Sequence, residues 1–306
     1  MSFASLEAVQ EGLESTGYIT DARTATVVHV ALATDKPVLV EGPAGVGKTQ
    51  LAKSVALALG RPLIRLQCYE GLDEAKALYE WAYAKQLLYT QMVRETLQSV
   101  IKDAPTLSQA VDRIAREEDA FFSQRFLQPR PLLQAILSPE PSVLLIDEVD
   151  KADPEFEAFL LELLSDFTVT IPELGTQTAK TQPFVFLTSN NYRDMSDALK
   201  RRCIYLYMDY PGPEREAAIV EKQIPGISRT LLSALIRAVG RIRELELKKP
   251  PCISETLDWA RALMALEINH LTPEAARQTL GLVCKYKGDH DRVAQALDQL
   301  LDSPPC

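Results

Sequence analysis

Residues 42–49 read Gly-Pro-Ala-Gly-Val-Gly-Lys-Thr, a glycine-rich run that ends in a lysine and a hydroxyl-bearing residue. Glycines let backbone N–H groups converge on phosphate oxygens, while a lysine neutralises phosphate charge and a threonine hydroxyl can bind Mg²⁺. The sequence therefore predicts a site for ATP and Mg²⁺. Its predicted nucleotide-binding residues are Gly42, Pro43, Ala44, Gly45, Val46, Gly47, Lys48, Thr49 and Gln50.

Two acids follow an apolar run at residues 143–146. Ligands of open α/β sheets bind at the carboxyl ends of parallel strands, so both carboxylates are expected beside the glycine-rich loop. Asp147 would hold Mg²⁺ together with Thr49, and Glu148 would act as the general base that polarises the attacking water. A buried strand that ends in acids for structural reasons alone is the alternative.

Asn190 follows the apolar run at residues 184–188, and Arg201 and Arg202 precede the apolar run at residues 204–207. The Asn190 amide could orient the water or sense the γ-phosphate, whereas an ordinary turn at a strand end is the alternative. Arg201 and Arg202 could supply a guanidinium that stabilises transferred phosphate in a neighbouring subunit. For this basic cluster the alternative is a solvated patch at the sheet edge.

Tyr18 and Ile19 lie upstream of the first apolar run, in the sequence Gly-Tyr-Ile. Their backbone could lie against adenine. Spacing alone indicates only a turn that joins two helices.

These residues need a framework that brings them together. Five short apolar runs separated by helical patterns predict a parallel α/β sheet. The runs are 37–41, 63–67, 143–147, 184–188 and 204–207. The first leads into the glycine-rich loop and then a helix at 48–59, with Gly60 at its end, which is the order that a phosphate site requires.

Two segments depart from simple strand–helix alternation. Residues 73–137 are too long for a crossover and predict a helical insertion, with helical spacing at Leu78, Tyr79 and Trp81 and again at 97–101, and with a charged middle at 113–119. Residues 167–171, followed by Gly175, predict a β-hairpin ahead of the fourth strand of the sheet.

Residues 210–213 read Tyr-Pro-Gly-Pro and interrupt the pattern. Beyond them, residues 228–244, 254–267 and 273–285 have amphipathic helical spacing. We therefore predict a nucleotide-binding αβα domain at 1–211 and a small, all-helical lid domain at 212–306.

The amino-acid composition limits the classes of protein to which this chain can belong. The chain of 306 residues is 46% hydrophobic and 25% charged, as in ordinary globular proteins, and its net charge of -9 argues against nucleic acid as the main partner. Five scattered cysteines indicate neither a disulfide framework nor a zinc site. Because no basic leader or membrane-spanning apolar run is present, we expect a cytoplasmic protein without a membrane span.

Longer stretches resemble the MoxR branch of the AAA+ ATPases, and most of all the CoxD type, which is named for maturation of molybdenum-containing carbon monoxide dehydrogenase. The resemblance covers nearly all of the chain. It is carried by the sequences at 66–73, 79–81, 166–176, 197–203 and 254–259.

The resemblance implies a ring, commonly a homo-hexamer, that acts as an ATP-driven chaperone. It also implies a von Willebrand factor A domain partner and a metalloenzyme client. In such a family Asn190 corresponds to the first sensor, and Arg202, with Arg201 beside it, to the arginine finger. One position departs: Thr256 stands where many members have the second-sensor arginine, and Arg261 lies further along the same helical pattern.

We therefore expect an ATPase that remodels a molybdenum-hydroxylase-type enzyme. A motor that translocates nucleic acid is an alternative, for which basic residues around the hairpin would be expected; residues 174–182 contain only Lys180. A scaffold that binds ATP with little hydrolysis is another, against which Glu148 and Arg202 argue.

Overall fold

The computed structural model describes residues 3–92, 126–172 and 174–301. The strands in these ranges are β1 (Val38–Glu41), β2 (Leu63–Gln67), β3 (Tyr79–Trp81), β4 (Leu127–Pro129), β5 (Val143–Asp147), β6 (Thr168–Ile171), β7 (Gly175–Thr178), β8 (Phe184–Ser189) and β9 (Ile204–Tyr207). The helices are α1 (Leu6–Ser15), α2 (Ala22–Ala33), α3 (Lys48–Leu59), α4 (Glu74–Leu78), α5 (Tyr83–Met92), α6 (Pro131–Leu137), α7 (Pro154–Asp166), α8 (Asp197–Arg202), α9 (Pro213–Gln223), α10 (Arg229–Glu244), α11 (Ile253–Ala265), α12 (Pro273–Thr279) and α13 (Lys287–Leu301). Short 3₁₀ turns cover Val149–Lys151 and Leu280–Leu282.

Five strands form one parallel sheet in the order β2-β5-β8-β1-β9. The three inner strands, β5, β8 and β1, are buried along their whole length because helices cover both faces of the sheet. Successive residues of β5 enter opposite layers: Leu144 and Ile146 join one apolar cluster, and Val143 and Leu145 join the other. The predicted parallel αβα sandwich is confirmed.

The carboxyl ends of these strands carry the polar residues that the sequence singled out. β5 ends at Asp147, and Asn190 directly follows β8. β1 leads through the glycine-rich loop into α3, which is capped at its carboxyl end by Gly60 with a φ of 64°, a left-handed conformation that favours glycine. Phosphate loop, acids and amide therefore meet at one edge of the sheet.

The insertion is not purely helical in its described parts. β3 and β4 form an antiparallel pair in which Tyr79 lies opposite Pro129 and Trp81 opposite Leu127. The helical expectation is therefore wrong at Tyr79–Trp81, directly after α4 ends at Leu78, and holds again at α5. Tyr79 and Trp81 favour an extended chain once a partner strand is available, but that partner is distant in sequence and no local pattern reveals it. Residues 97–101 and 113–119 lie outside the described residues.

The predicted hairpin is present. β6 and β7 pair antiparallel, with Thr168 opposite Thr178 and Ile171 opposite Gly175. Gly175 has a φ of 71°. The hairpin follows α7 and precedes β8 in the chain.

Helices α9 to α13, residues 213–301, form the C-terminal helical region. They enclose an apolar cluster of their own that includes the fully buried Trp259 together with Leu235 and Val239. α9 begins at Pro213, inside the break that the sequence indicated, because proline is favoured in the first turn of a helix. The domain division at 211/212 stays a prediction. Among the described residues, no helix combines the length and apolarity needed to cross a bilayer.

Candidate functional site

The phosphate loop, residues 42–49, has the backbone conformation that only glycine adopts easily. Gly42, Gly45 and Gly47 have φ values of 149°, 75° and 102°. A Cβ atom on Gly42 would lie 1.9 Å from the Met208 carbonyl oxygen, and one on Gly45 would lie 2.1 Å from the Cys252 Sγ. Glycine is therefore needed at both positions for conformation and for space.

Lys48 is buried at the start of α3. Its Nζ donates hydrogen bonds to the carbonyl oxygens of Gly42 and Pro43, at 2.7 and 2.6 Å. Burial lowers the pKa of Lys48 to about 8, although the charges of Asp150, Asp147 and Glu148 oppose the shift. The ammonium thus faces an acidic cluster across the loop and can neutralise a phosphate.

Thr49 and Asp147 are in direct contact. The Thr49 hydroxyl donates to Asp147 Oδ1 at 2.9 Å, and the Thr188 hydroxyl donates to the same oxygen at 2.5 Å. Arg65 Nε and Nη2 donate to Asp147 Oδ2 at 3.1 and 2.5 Å. A hydroxyl and a carboxylate this close are the oxygen donors that Mg²⁺ prefers, so the residues present fit that ion.

Glu148 is held in the left-handed region, with a φ of 56°. Its Oε1 accepts a hydrogen bond from Asn190 Nδ2 at 3.3 Å. Its Oε2 accepts from Gln67 Nε2 at 3.0 Å and from Lys151 Nζ at 2.5 Å. A carboxylate beside an amide can polarise a water molecule and fix its orientation.

A cleft of about 880 Å³ contains these groups. One wall is formed by residues 44–50 of the loop and α3, and Tyr18 and Ile19 line another part. The C-terminal helical region also lines the cleft, with Arg215, Ile219, Gln223, Ser254 and Leu257. Asp147, Glu148 and Asn190 border the same cleft, whereas Gly42 and Pro43 contribute through their carbonyl groups to Lys48.

Arg201 and Arg202 are exposed at the end of α8, outside this cleft. Arg202 Nε donates to Ser165 Oγ at 3.1 Å. Within the described part of the chain no hydrogen bond or ion pair reaches Arg201. The fold therefore does not bring either guanidinium to the cleft of its own chain.

The position of the expected second sensor is occupied differently. Thr256 is fully buried and donates to Glu216 Oε1 at 2.7 Å, and Arg261 pairs with Asp258 at 3.1 Å on the surface. Arg215 of α9 lines the cleft instead. Its Nε and Nη2 donate to the Ile19 carbonyl oxygen at 3.3 and 3.0 Å, and its Nη1 pairs with Asp21 at 2.6 Å.

Several polar residues at the site were missed by sequence reasoning. They are Arg65, Gln67, Asp150, Thr188 and Arg215. Arg65 and Gln67 share one face of β2 because they are two residues apart, which is a visible signal. This signal predicts a place beside Asp147 only once β2 is known to be the neighbour of β5 in the sheet.

A family model described as "AAA domain (dynein-related subfamily)" matches residues 37–203, more than half of the 306 residues. The chain is similar to Protein NorQ of Paracoccus denitrificans (strain Pd 1222), with 26% identity over 232 residues that cover 75% of this chain and 73% of that protein. It is similar to Protein CbbQ of Hydrogenophilus thermoluteolus, with 24% identity over 219 residues, 71% and 69% of the two chains. It is also similar to Gas vesicle ATPase GvpN2 of Halobacterium salinarum, with 25% identity over 247 residues, 77% of this chain and 63% of that protein.

Proposed function

Because the chain belongs to the AAA domain family (dynein-related subfamily), in the MoxR branch of the AAA+ ATPases, we propose that it hydrolyses ATP with Mg²⁺ at this cleft. The observation that supports the proposal most directly is the meeting of four groups at one sheet edge. Thr49 contacts Asp147, and Asn190 contacts Glu148. Binding residues and hydrolytic residues are thereby side by side.

In the proposed reaction the phosphate loop binds the β- and γ-phosphates through its N–H groups, and Lys48 neutralises their charge. Thr49 and Asp147 would hold Mg²⁺, which would supply positive charge next to the phosphates. Glu148 accepts a proton from the water whose oxygen forms the new bond to the γ-phosphorus. Asn190 orients that water, the bond to the bridging oxygen breaks, and ADP leaves with the electron pair.

Adenine would lie in the cleft between the phosphate-loop side and the side lined by the C-terminal helical region. Tyr18 and Ile19 are proposed to contact it through their backbone, and Gln50 lines the cleft one residue after Thr49. Arg215 holds the Ile19 carbonyl from α9, so the C-terminal helical region, our proposed lid, is linked to the adenine side. At the position expected for a second-sensor arginine, Thr256 donates to Glu216 instead, so Arg215 links the proposed lid to the nucleotide domain at a different place.

We further propose that hydrolysis drives remodelling of a protein client by a cytoplasmic homo-hexameric ring. The resemblance to the CoxD type suggests a molybdenum-hydroxylase-type metalloenzyme as client and a von Willebrand factor A domain protein as partner. Proteins recovered with Glu148→Gln in the presence of ATP, which should hold the engaged state, identify both. Recovery of neither kind of protein would contradict this part of the proposal.

Phosphate release by the wild type and by Glu148→Gln tests the ATPase itself. We expect hydrolysis to fall at least about a hundredfold in the variant, because the general base is lost, while fluorescent-ATP binding persists. Glu162→Gln, an exposed carboxylate on α7, is the matched control and should hydrolyse as the wild type does.

Equal turnover in wild type and Glu148→Gln would refute the role of Glu148. Binding of ATP without measurable turnover in the wild type would favour the scaffold alternative. Lys48→Ala should lose binding, since it removes the charge that neutralises the phosphates.

A further inference from the structure

Asp150 is a buried carboxylate that lies beside the site but does not line the cleft. It sits in the 3₁₀ turn Val149–Lys151, two residues after Glu148, and only 1% of its surface is exposed. Its Oδ2 accepts hydrogen bonds from the backbone N–H groups of Asn190, at 3.0 Å, and Tyr192, at 2.8 Å. One oxygen thus joins the turn after β5 to the turn after β8.

Both of those turns contain a residue in an unfavourable conformation. Glu148 has a φ of 56° and Asn191 a φ of 64°, and neither is glycine. Such residues persist where surrounding contacts hold them. Asp150 provides such contacts, because its oxygen binds the N–H groups on both sides of Asn191 and its own backbone follows Glu148.

The two turns carry the groups that would orient the attacking water. Asn190 Nδ2 lies 3.3 Å from Glu148 Oε1, a long hydrogen bond that a small displacement of either backbone would break. The Glu148 N–H is fixed separately, by the Thr188 hydroxyl at 2.9 Å. For Asn190, the Asp150 oxygen is the contact that sets the backbone position relative to Glu148.

We propose that Asp150 is a positioning residue for hydrolysis, which holds the Asn190 amide against the Glu148 carboxylate through the backbone N–H groups of Asn190 and Tyr192. This inference rests on the proposed ATPase function and adds a residue to it. Asp150 acts through its neighbours, since its side chain does not line the cleft. Its charge also opposes the loss of the Lys48 proton, so the acceptor role and the charge must be separated experimentally.

The substitution Asp150→Asn separates the acceptor role from the charge, because the asparagine carbonyl oxygen can still accept both hydrogen bonds but carries no charge. We expect Asp150→Ala to lower the turnover number about 10- to 100-fold while the Kd for fluorescent ATP changes less than about threefold, because misplacing a reacting group costs rate and not binding. Asp150→Asn should recover turnover to within about threefold of the wild type. Asp153→Ala is the matched control, since that carboxylate caps no backbone N–H group, and it should hydrolyse normally.

A double-mutant cycle with Asn190→Ala gives an independent readout. If Asp150 acts through Asn190, Asp150→Ala should cost little further turnover in the Asn190→Ala background. An equal additional loss there would overturn the proposal. So would normal turnover in Asp150→Ala, a parallel loss of ATP binding, or an Asn variant as impaired as the Ala variant.

Thermal melting of each variant establishes that it is folded. If Asp150→Ala does not fold, Asp150→Ser takes its place and must show the same loss of turnover with binding retained; normal turnover in that variant would equally overturn the proposal. A wild-type protein that neither binds nor hydrolyses ATP would refute the proposed function itself. Failure of the Asp150 series in an active wild-type background refutes only the positioning role.

Discussion

Lys48 is a buried ammonium whose pKa lies near 8, well below the usual value for lysine, because burial disfavours its charge. Phosphates favour the charged form, so binding of ATP must restore the proton once the free protein has lost it. We therefore expect ATP affinity to fall about tenfold between pH 7 and pH 9. Fluorescent-ATP titrations across this range, on Glu148→Gln to suppress turnover, measure the effect.

Lys48→Arg is the control, since a guanidinium keeps its charge throughout that range. Its affinity for ATP, whatever its absolute value, should not change with pH. Unchanged affinity in the Lys48 protein would contradict the lowered pKa. The same shift has a consequence for folding: the unfolded chain keeps this proton to higher pH, so the contribution of Lys48 to stability improves as the pH rises from about 8 to its ordinary pKa.

At the scale of single residues, sequence reasoning identified groups whose partners are contiguous or defined by a motif. Lys48 and Thr49 belong to one short run, and Asp147 and Glu148 directly follow the apolar run at residues 143–146. Arg65 could not be assigned in the same way, because its contact with Asp147 depends on the spatial order of the strands. Side-chain partners that are set by sheet order are invisible until that order is known.

At the scale of elements, the sheet was predictable because its three inner strands, β1, β5 and β8, are buried on both faces. Three sheet strands, β2, β5 and β9, begin and end where the apolar runs do. Tyr79–Trp81 was misassigned because its strand pairs with Leu127–Pro129, across more than 40 residues of sequence. A short strand outside the main sheet cannot be recognised from sequence without its distant partner, whereas a continuous apolar run is recognisable from its own residues.

A buried ion pair joins two helices of the C-terminal helical region. Glu216 of α9 accepts hydrogen bonds from Arg243 of α10 at 2.6 and 2.8 Å, and both side chains are largely buried. Arg243 also donates to the Pro251 carbonyl oxygen at 2.7 Å. The next residue, Cys252, lies against Gly45, so this pair fixes the start of α11 at the phosphate loop.

Removal of one partner should therefore be costly. We expect Glu216→Ala to lower the free energy of unfolding by about 3–5 kcal/mol, because it leaves the Arg243 charge buried and unpaired. Urea denaturation followed by circular dichroism measures the loss. Glu221→Ala, an exposed acid on the same helix, should change stability by no more than about 0.5 kcal/mol. Similar losses in the two variants would show that the pair contributes nothing specific.

At the scale of the whole molecule, the described chain contains a phosphate loop, acids and an amide in one cleft but carries Arg201 and Arg202 outside it. Arg202 is bound to Ser165 on the surface, at the end of a helix that follows the Asn190 turn by only a few residues. An arginine in such a place could reach phosphate only in another copy of the chain. The proposed ring supplies that copy, and the site would then be shared between neighbours.

A shared site predicts complementation between two inactive variants. Lys48→Ala lacks nucleotide binding but keeps its arginine, whereas Arg202→Ala keeps the cleft but lacks the arginine, so each should be nearly inactive alone. In an equal, randomly assembled mixture about a quarter of the interfaces pair an intact cleft with an intact arginine, and phosphate release should recover toward that fraction of the wild-type rate. Replacing Arg202→Ala by Arg201→Ala in the same mixture shows which guanidinium acts, since only the acting residue produces an inactive variant that can be complemented. A mixture no faster than either variant alone would mean that neither arginine serves a neighbouring cleft, and the exposed pair would then be only a basic surface at the end of α8.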